Sequence, residues 1–324
     1  MAEAILLTAS DLMPLRTNLD AMEGALAAVE AAVVAHGEGR LRQYNVQDRV
    51  PGEFEGIRVS LSAGEELYTG MRIFGNPPHT RAFLLFDGVT RQMLALMDYG
   101  VLNSLRVGAI AGVAGRHLAP PNARIMGLIG SGWQAAPQVV AMLRAVPMLE
   151  SIKVFSPTPA NRERFAKSMS QQLEVKVEAV ASIQEALSGA DVVDLCAPGH
   201  FDVREPLFEP DWVQPGALVI SMASSQCTEE FVRSARVVAT SYDLLMEPAP
   251  KPPYDSLIAK GLFREPDVLD LAAVVVEKAQ ARHQPADRVL YELTGGSSHD
   301  LFIATWGYEW ARSQGLGVSF DLSS

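Results

Sequence analysis

The segment Ile125-Met126-Gly127-Leu128-Ile129-Gly130-Ser131-Gly132-Trp133-Gln134-Ala135 constrains this chain more than any other. An apolar strand runs straight into Gly-x-Gly-x-x-Ala, and a helix opens behind it. In that pattern Gly130 permits a tight turn and Gly132 lets the backbone approach a pyrophosphate. Ala135 allows close helix–strand packing, and the helix N-terminus offers amides and the positive end of its dipole. Such a motif is weak alone. Here it gains weight from its place at a strand-to-helix junction that begins a βα series.

That series predicts strands at 125–129, 151–155, 175–180, 192–196 and 218–222, with shorter ones at 237–239 and 268–272. Helices are predicted at 134–143, 159–171 and 183–187. Near-continuous apolar strands alternating with helices imply a parallel sheet covered on both faces. The fold class is therefore α/β, with a Rossmann-type doubly wound domain over 119–296. It is inserted into an α+β substrate-binding and dimerisation domain made of 1–118 and 297–324. In that second part Ser10 is the expected cap of a first helix, with Asp11 in its first turn. A helix is expected from Asn18 to His36, strands at 57–61, 70–74, 82–86 and 92–97, a helix from Asn103 to Leu118, and a last helix from Ser298 to Arg312.

Charge narrows the partners. The 324 residues hold 27 Lys+Arg and 38 Asp+Glu, a net charge of −11. This leaves no basic footprint for nucleic acid or for an anionic membrane surface. No apolar run is long enough to span a bilayer. Two cysteines, Cys196 and Cys227, are too few for a disulfide framework, and the six histidines show no metal-ligand spacing. With no basic n-region at the start of the sequence, a cytoplasmic protein is expected, without a metal site.

The end of the second βα strand bears on the nucleotide. An NAD-specific site usually places Asp or Glu there for the ribose 2′-hydroxyl. This chain offers Ser156, Thr158, Asn161 and Arg162 instead, donors suited to a 2′-phosphate, so NADP(H) is expected over NAD(H). On the substrate side, Asn103-Ser104-Leu105-Arg106-Val107-Gly108-Ala109 puts an arginine in an apolar helix, read as its first turn. A buried arginine is uncommon without an anionic partner. Arg106 thus reads as a carboxylate clamp, with an internal ion pair as the alternative.

These residues resemble the ornithine cyclodeaminase/mu-crystallin family. The resemblance is carried by Leu84-Leu85-Phe86-Asp87 through Leu96-Met97-Asp98, by Ser104 to Ala109 and by Gly130 to Ala135. Gly295-Gly296-Ser297-Ser298-His299-Asp300 fits a further family motif loosely. The resemblance implies a homodimer whose N-terminal domain binds substrate. It implies a dinucleotide site lined by Trp133, Gln134, Ala135, Ser156 and Ala197, with Met222 and Ser224 close to the cofactor, and it assigns Arg106 to the substrate carboxylate. Family activities include cyclising deamination, ketimine reduction and amino-acid dehydrogenation, all by hydride transfer at a carbon bearing nitrogen.

Two departures stand out. The family's catalytic lysine lies in a Gly-x-Lys-hydrophobic segment, which here is Gly70-Met71-Arg72-Ile73. Arginine keeps its charge, so Arg72 binds an anion or polarises a carbonyl but shuttles protons poorly. The family's catalytic aspartate maps by spacing from Glu230-Phe231 onto Ser224, and no carboxylate lies between Val219 and Thr228. Cyclodeamination is therefore disfavoured. His79 is the candidate proton donor, with Thr80 beside it as a substrate contact, while Asp300 reads as a first-turn dipole partner. His200, Tyr44 and Tyr68 are weaker candidates, and Arg42, Asn45 and Arg49 compete for the substrate side chain. The expected function is an NAD(P)H-dependent oxidoreductase working on the C=N or C=O carbon of a small 2-imino or 2-oxo acid. The alternatives are a cyclodeaminase with recycling NAD and a non-catalytic NADPH-binding protein.

Overall fold

The computed structural model describes residues 3–47, 58–64, 68–74, 81–197, 206–247, 249–295 and 297–321. In chain order the elements begin β1 Ala4–Leu7, α1 Ala9–Leu12, α2 Leu19–Gly37, β2 Leu41–Gln47, β3 Arg58–Gly64, β4 Tyr68–Phe74, β5 Ala82–Asp87, β6 Met93–Asp98 and α3 Tyr99–Leu118. They continue β7 Ile125–Ile129, α4 Ala135–Ala145, β8 Ser151–Phe155, α5 Pro159–Leu173, β9 Lys176–Ala179, α6 Ile183–Leu187, β10 Val192–Leu195, β11 Leu218–Ser221, α7 Glu229–Ser234 and β12 Arg236–Ala239. The last are α8 Tyr242–Met246, α9 Tyr254–Ala259, β13 Val268–Asp270, α10 Leu271–Val275, β14 Val289–Glu292, α11 Ser297–Ser313 and β15 Val318–Phe320. Two compact units result: Met1–Ala109 with Gly296–Ser324, and Ile110–Gly295.

The first unit is built on a sheet in the order β15-β1-β6-β5-β4-β3-β2. All its pairings are antiparallel except β1 with β6. Helix α11 lies along α2 and reaches strands β2 to β5. Asn18 caps α2 by accepting the Ala21 N–H at 3.0 Å. Two helix starts differ from the expected ones. Thr8, not Ser10, precedes α1, and its N–H and hydroxyl both donate to Asp11, at 2.8 and 2.7 Å. Helix α3 begins at Tyr99 rather than Asn103, because Asp98 Oδ1 accepts the Val101 N–H at 2.7 Å. Arg106 therefore sits two turns into the helix and not in its first turn.

The second unit is an eight-stranded sheet, β13-β12-β14-β11-β10-β7-β8-β9. Every pairing in it is parallel. Order reverses between β7 and β10, which makes their carboxyl ends the topological switch point where ligands of such sheets bind. This is the doubly wound fold expected from the alternation. One side of the sheet is covered by a core that includes Val193, Leu195, Val219, Leu290, Phe231, Tyr254 and Leu257. The expected strand at 268–272 stops at Asp270, and Leu271 starts a helix. Among the described residues no helix is long and apolar enough to cross a membrane.

Candidate active site

Each unit carries one group of candidate residues. In the second unit Gly130 leaves β7 with φ +116°, a conformation open to glycine and strained for other residues. A β-carbon there would stand 2.7 Å from the Cys196 carbonyl oxygen at the end of β10, so the turn is pressed against the neighbouring strand end. At Gly132 a β-carbon would meet nothing within 4 Å. The first glycine is thus demanded by the fold, and the second leaves bare backbone facing open space. Ala135 is buried at the start of α4, and Gln134 Oε1 is a buried acceptor with no partner among the described residues. A close backbone approach at a helix start is what a pyrophosphate needs, and these residues fit a dinucleotide.

Around that turn the expected contacts divide. Ser156 is buried, and its Oγ shares a 2.8 Å hydrogen bond with Ser131 Oγ, so its hydroxyl braces the glycine turn. Arg162 donates through Nη1 to the Ser156 carbonyl at 2.9 Å and lies 5.6 Å from the Phe155 ring centroid. This fixes its guanidinium at the end of β8. Thr158 is exposed as the residue before α5, and Trp133 is 46% exposed. At the ends of β10 and β11, Gln226 Nε2 donates to the Ala197 carbonyl at 2.9 Å, which ties Ala197 to the turn containing Ser224. Gln138 Nε2 contacts Met222 Sδ at 3.3 Å. Ser224 itself is buried in that turn. Glu229 begins α7 and pairs with Lys260 at 2.7 Å, so it supplies no substitute carboxylate.

The first unit brings together residues far apart in sequence. Asp300, wholly buried in the first turn of α11, bridges two arginines: Oδ2 accepts from Arg72 Nη1 at 2.7 Å and Oδ1 from Arg106 Nε at 3.0 Å. It is not merely a dipole partner. Arg106 Nη2 donates to Asn103 Oδ1 at 2.8 Å, Tyr99 Oη donates to the same oxygen at 3.4 Å, and Arg72 Nη1 donates to Tyr99 Oη at 3.2 Å. The five residues close a ring. Tyr99, Asn103 and Arg106 share one stripe of α3 at i, i+4 and i+7 spacing. Both guanidiniums are largely buried, with 11% and 8% of their side chains exposed. Burial alone would lower their pKa values. Asp300 and Tyr99 together outweigh it and raise both, so each stays charged.

Among the described residues the ring holds two cations and one carboxylate. The ion pair was the alternative reading of Arg106, yet one Asp300 neutralises only one of the two arginines. A planar guanidinium fork whose N–H donors match two oxygens is suited to a carboxylate.

Several candidates fall elsewhere. His79, Thr80, His200 and Arg49 lie outside the described residues. Arg42, Tyr44 and Asn45 lie on β2. Tyr68 donates to Glu309 at 2.9 Å, and burial together with Glu309 pushes its phenol up to about 12, unsuited to proton transfer near neutrality. Tyr99 and Asn103 were not singled out from sequence, although two polar groups one and two turns before a buried arginine were a usable signal.

The glycine turn and the arginine ring both include residues within one matched stretch of the chain. A family model for the ornithine cyclodeaminase/mu-crystallin family covers residues 66–315. The chain belongs to this family. Over 315 residues it is 24% identical to N-((2S)-2-amino-2-carboxyethyl)-L-glutamate dehydrogenase of Staphylococcus aureus, spanning 91% of this chain and 92% of that protein. Over 269 residues it is 27% identical to ketimine reductase mu-crystallin of Mus musculus, spanning 79% and 80%. The solved structure of Thermococcus litoralis Delta(1)-pyrroline-2-carboxylate reductase, in complex with NADH and L-proline, superposes with a TM-score of 0.82. That similarity comes at 26% identity and covers 98% of this chain and 100% of the other.

Proposed function

We propose that the protein is a nicotinamide-dependent oxidoreductase that reduces the C=N or C=O carbon of a small 2-imino or 2-oxo acid, or runs the reverse reaction. The observation that carries this reading is the ring of two buried guanidiniums against one carboxylate, in a chain that also has a dinucleotide-fitted turn. Arg106 and Arg72 hold the substrate carboxylate by charge-assisted hydrogen bonds and fix the orientation of the carbon next to it. Gly130, Gly132 and the start of α4 receive the pyrophosphate, and Gln134, Ala135 and Ala197 line the dinucleotide. When bound, the nicotinamide supplies or accepts the hydride. The proton comes from water or from His79, since neither arginine releases one. Arg162, fixed at the end of β8 where no acidic residue stands, favours NADP(H) over NAD(H). The buried free thiols of Cys196 and Cys227 suit a reducing, cytoplasmic setting.

The test is oxidation of NADPH and NADH, followed by absorbance, with Delta(1)-pyrroline-2-carboxylate and with 2-oxo acids, with and without ammonia or methylamine. Turnover of preformed or amine-generated imines, fastest with NADPH, is the expected result. Turnover of 2-oxo acids without amine selects the keto-acid branch. Tight nucleotide binding with no turnover of any substrate overturns the enzyme reading in favour of a non-catalytic binder.

A homodimer is proposed as the working assembly, in line with the family resemblance. An apolar groove of about 430 Å³ on the first unit, lined by Gly24, Ala27, Ala28, Leu301, Phe302 and Trp306 among others, is the surface assigned to the second copy. Ala27 is exposed there, so Ala27→Arg leaves the fold intact. Sedimentation should show a dimer for the wild type and a monomer for this variant. An unchanged dimer would reassign the interface.

A further inference from the structure

We infer that Tyr99 is a positioning residue that allows an arginine to work at position 72. This rests on the reading of Arg72 and Arg106 as the carboxylate clamp, and it goes beyond that reading by naming what orients one half of the clamp. An ammonium is a compact charge that a single carboxylate partner can serve. A guanidinium is planar, with five N–H donors, and its direction is set by acceptors lying in or near its plane. Arg72 Nη1 has two such acceptors, Asp300 Oδ2 at 2.7 Å and Tyr99 Oη at 3.2 Å. Tyr99 also meets the guanidinium with its face, since Arg72 Cζ lies 5.6 Å from the ring centroid. One residue therefore contacts Arg72 through both its hydroxyl and its π-system.

Tyr99 is itself held in place. It is wholly buried at the start of α3, and its ring stacks on Phe83 at 6.3 Å. Phe83 is the register partner of Arg72 across β4 and β5. Gly70 makes room for that stack, because a β-carbon there would come within 2.3 Å of Phe83 Cζ. The hydroxyl then passes the arrangement on to Asn103 and so to Arg106. Tyr99 and Asn103 form the ring's uncharged link between its two cations. Tyr99 sets the angle between the two forks before substrate arrives, which spares that ordering at the moment of binding.

The test combines Tyr99→Phe, Arg72→Lys, the double variant and Arg106→Leu. The substrate probe is Delta(1)-pyrroline-2-carboxylate with saturating NADPH. Tyr99→Phe should raise KM about tenfold, with kcat within about twofold and the NADPH dissociation constant unchanged. In the Arg72→Lys background the same change should have no further effect on KM, because an ammonium has no plane to orient. A purely structural role would instead lower the melting temperature and alter kcat and nucleotide binding together. A second readout needs no turnover: side-chain nitrogen NMR of the substrate-free protein should show slow Nη rotation at Arg72, assigned by its loss in Arg72→Lys, and fast rotation in Tyr99→Phe. Unchanged rotation in Tyr99→Phe, or equal KM effects of that change in both backgrounds, overturns the inference. If Arg106→Leu leaves KM unchanged as well, it is the carboxylate clamp that fails, and the NMR result then stands alone on Tyr99.

Discussion

Replacing Arg106 with leucine should lower kcat/KM for carboxylate substrates by about a thousandfold, within the range of 2–5 kcal/mol for truncating one partner of a buried charge pair. Nearly all of that loss should appear without unfolding. The reason is the ring's charge balance: with Arg106 gone, Asp300 still faces Arg72 at 2.7 Å, and one carboxylate against one guanidinium is neutral. The binding charge disappears while no buried charge is stranded. Asp300→Asn should behave in the opposite way. It removes the carboxylate that both buried guanidiniums share and should lower stability before it affects chemistry. Steady-state kinetics and a melting curve on each variant check the contrast, with NADPH affinity as the control. A stable Arg106→Leu protein with wild-type kcat/KM would remove this arginine from the substrate site.

The second large effect is on stability. Asp194 lies in the middle of the parallel sheet, on β10 between Leu128 and Ile220, fully buried, and neither carboxylate oxygen has a partner among the described residues. Burial pushes its pKa from 3.8 up to about 7. The folded state therefore binds a proton more tightly than the unfolded chain does. Stability contributed by that proton is complete below about pH 4, is lost as pH rises towards 7, and is gone above it. At about 1.4 kcal/mol for each unit, the difference between 3.8 and 7 corresponds to about 4 kcal/mol. Asp194→Val should then raise the melting temperature by roughly 8 °C at pH 8 and by little at pH 4.5. Part of the wild-type slope should remain in the variant. Glu292 is also raised to about 7 by burial, although the Tyr254 hydroxyl that donates to it at 2.8 Å pulls the other way. Equal gains at both pH values would mean that Asp194 is ionised throughout or that its burial costs nothing.

How far the sequence could be read depended on the range of the forces involved. The glycine turn was legible because its requirements are local: positive φ at Gly130, open space at Gly132 and a small residue at 135 all follow from neighbours in the chain. Strands β7, β8 and β10 were legible because parallel strands buried on both faces read as apolar runs. Strands β1, β14 and β15 were not, since each gains its identity from a partner elsewhere in the chain. The arginine ring was half legible. Arg72 and Arg106 could each be named, but Asp300 joins them across 228 and 194 residues, and no spacing rule reaches that far. Asp300 was instead given the local role that its place in a helix's first turn suggests. In sequence, a carboxylate inside Val192-Val193-Asp194-Leu195 looks like part of a strand with one polar face. Only the burial of both faces shows it to be alone.

The strand order of the second unit has a consequence for how the chain is made. Strand β14 lies between β11 and β12, and β12 has no other neighbour except the short β13. Yet β14 is the last strand of that sheet to leave the ribosome. A nascent chain ending before Val289 holds β11 with an open edge, and β12 and β13 as a detached pair with apolar backbone uncovered. Such a chain is in its most aggregation-prone state late in synthesis. The first unit also lacks α11 at that moment, so Arg72 and Arg106 are without Asp300 until the final stretch of the polypeptide arrives. Translation that stops a few dozen residues early leaves both units unfinished.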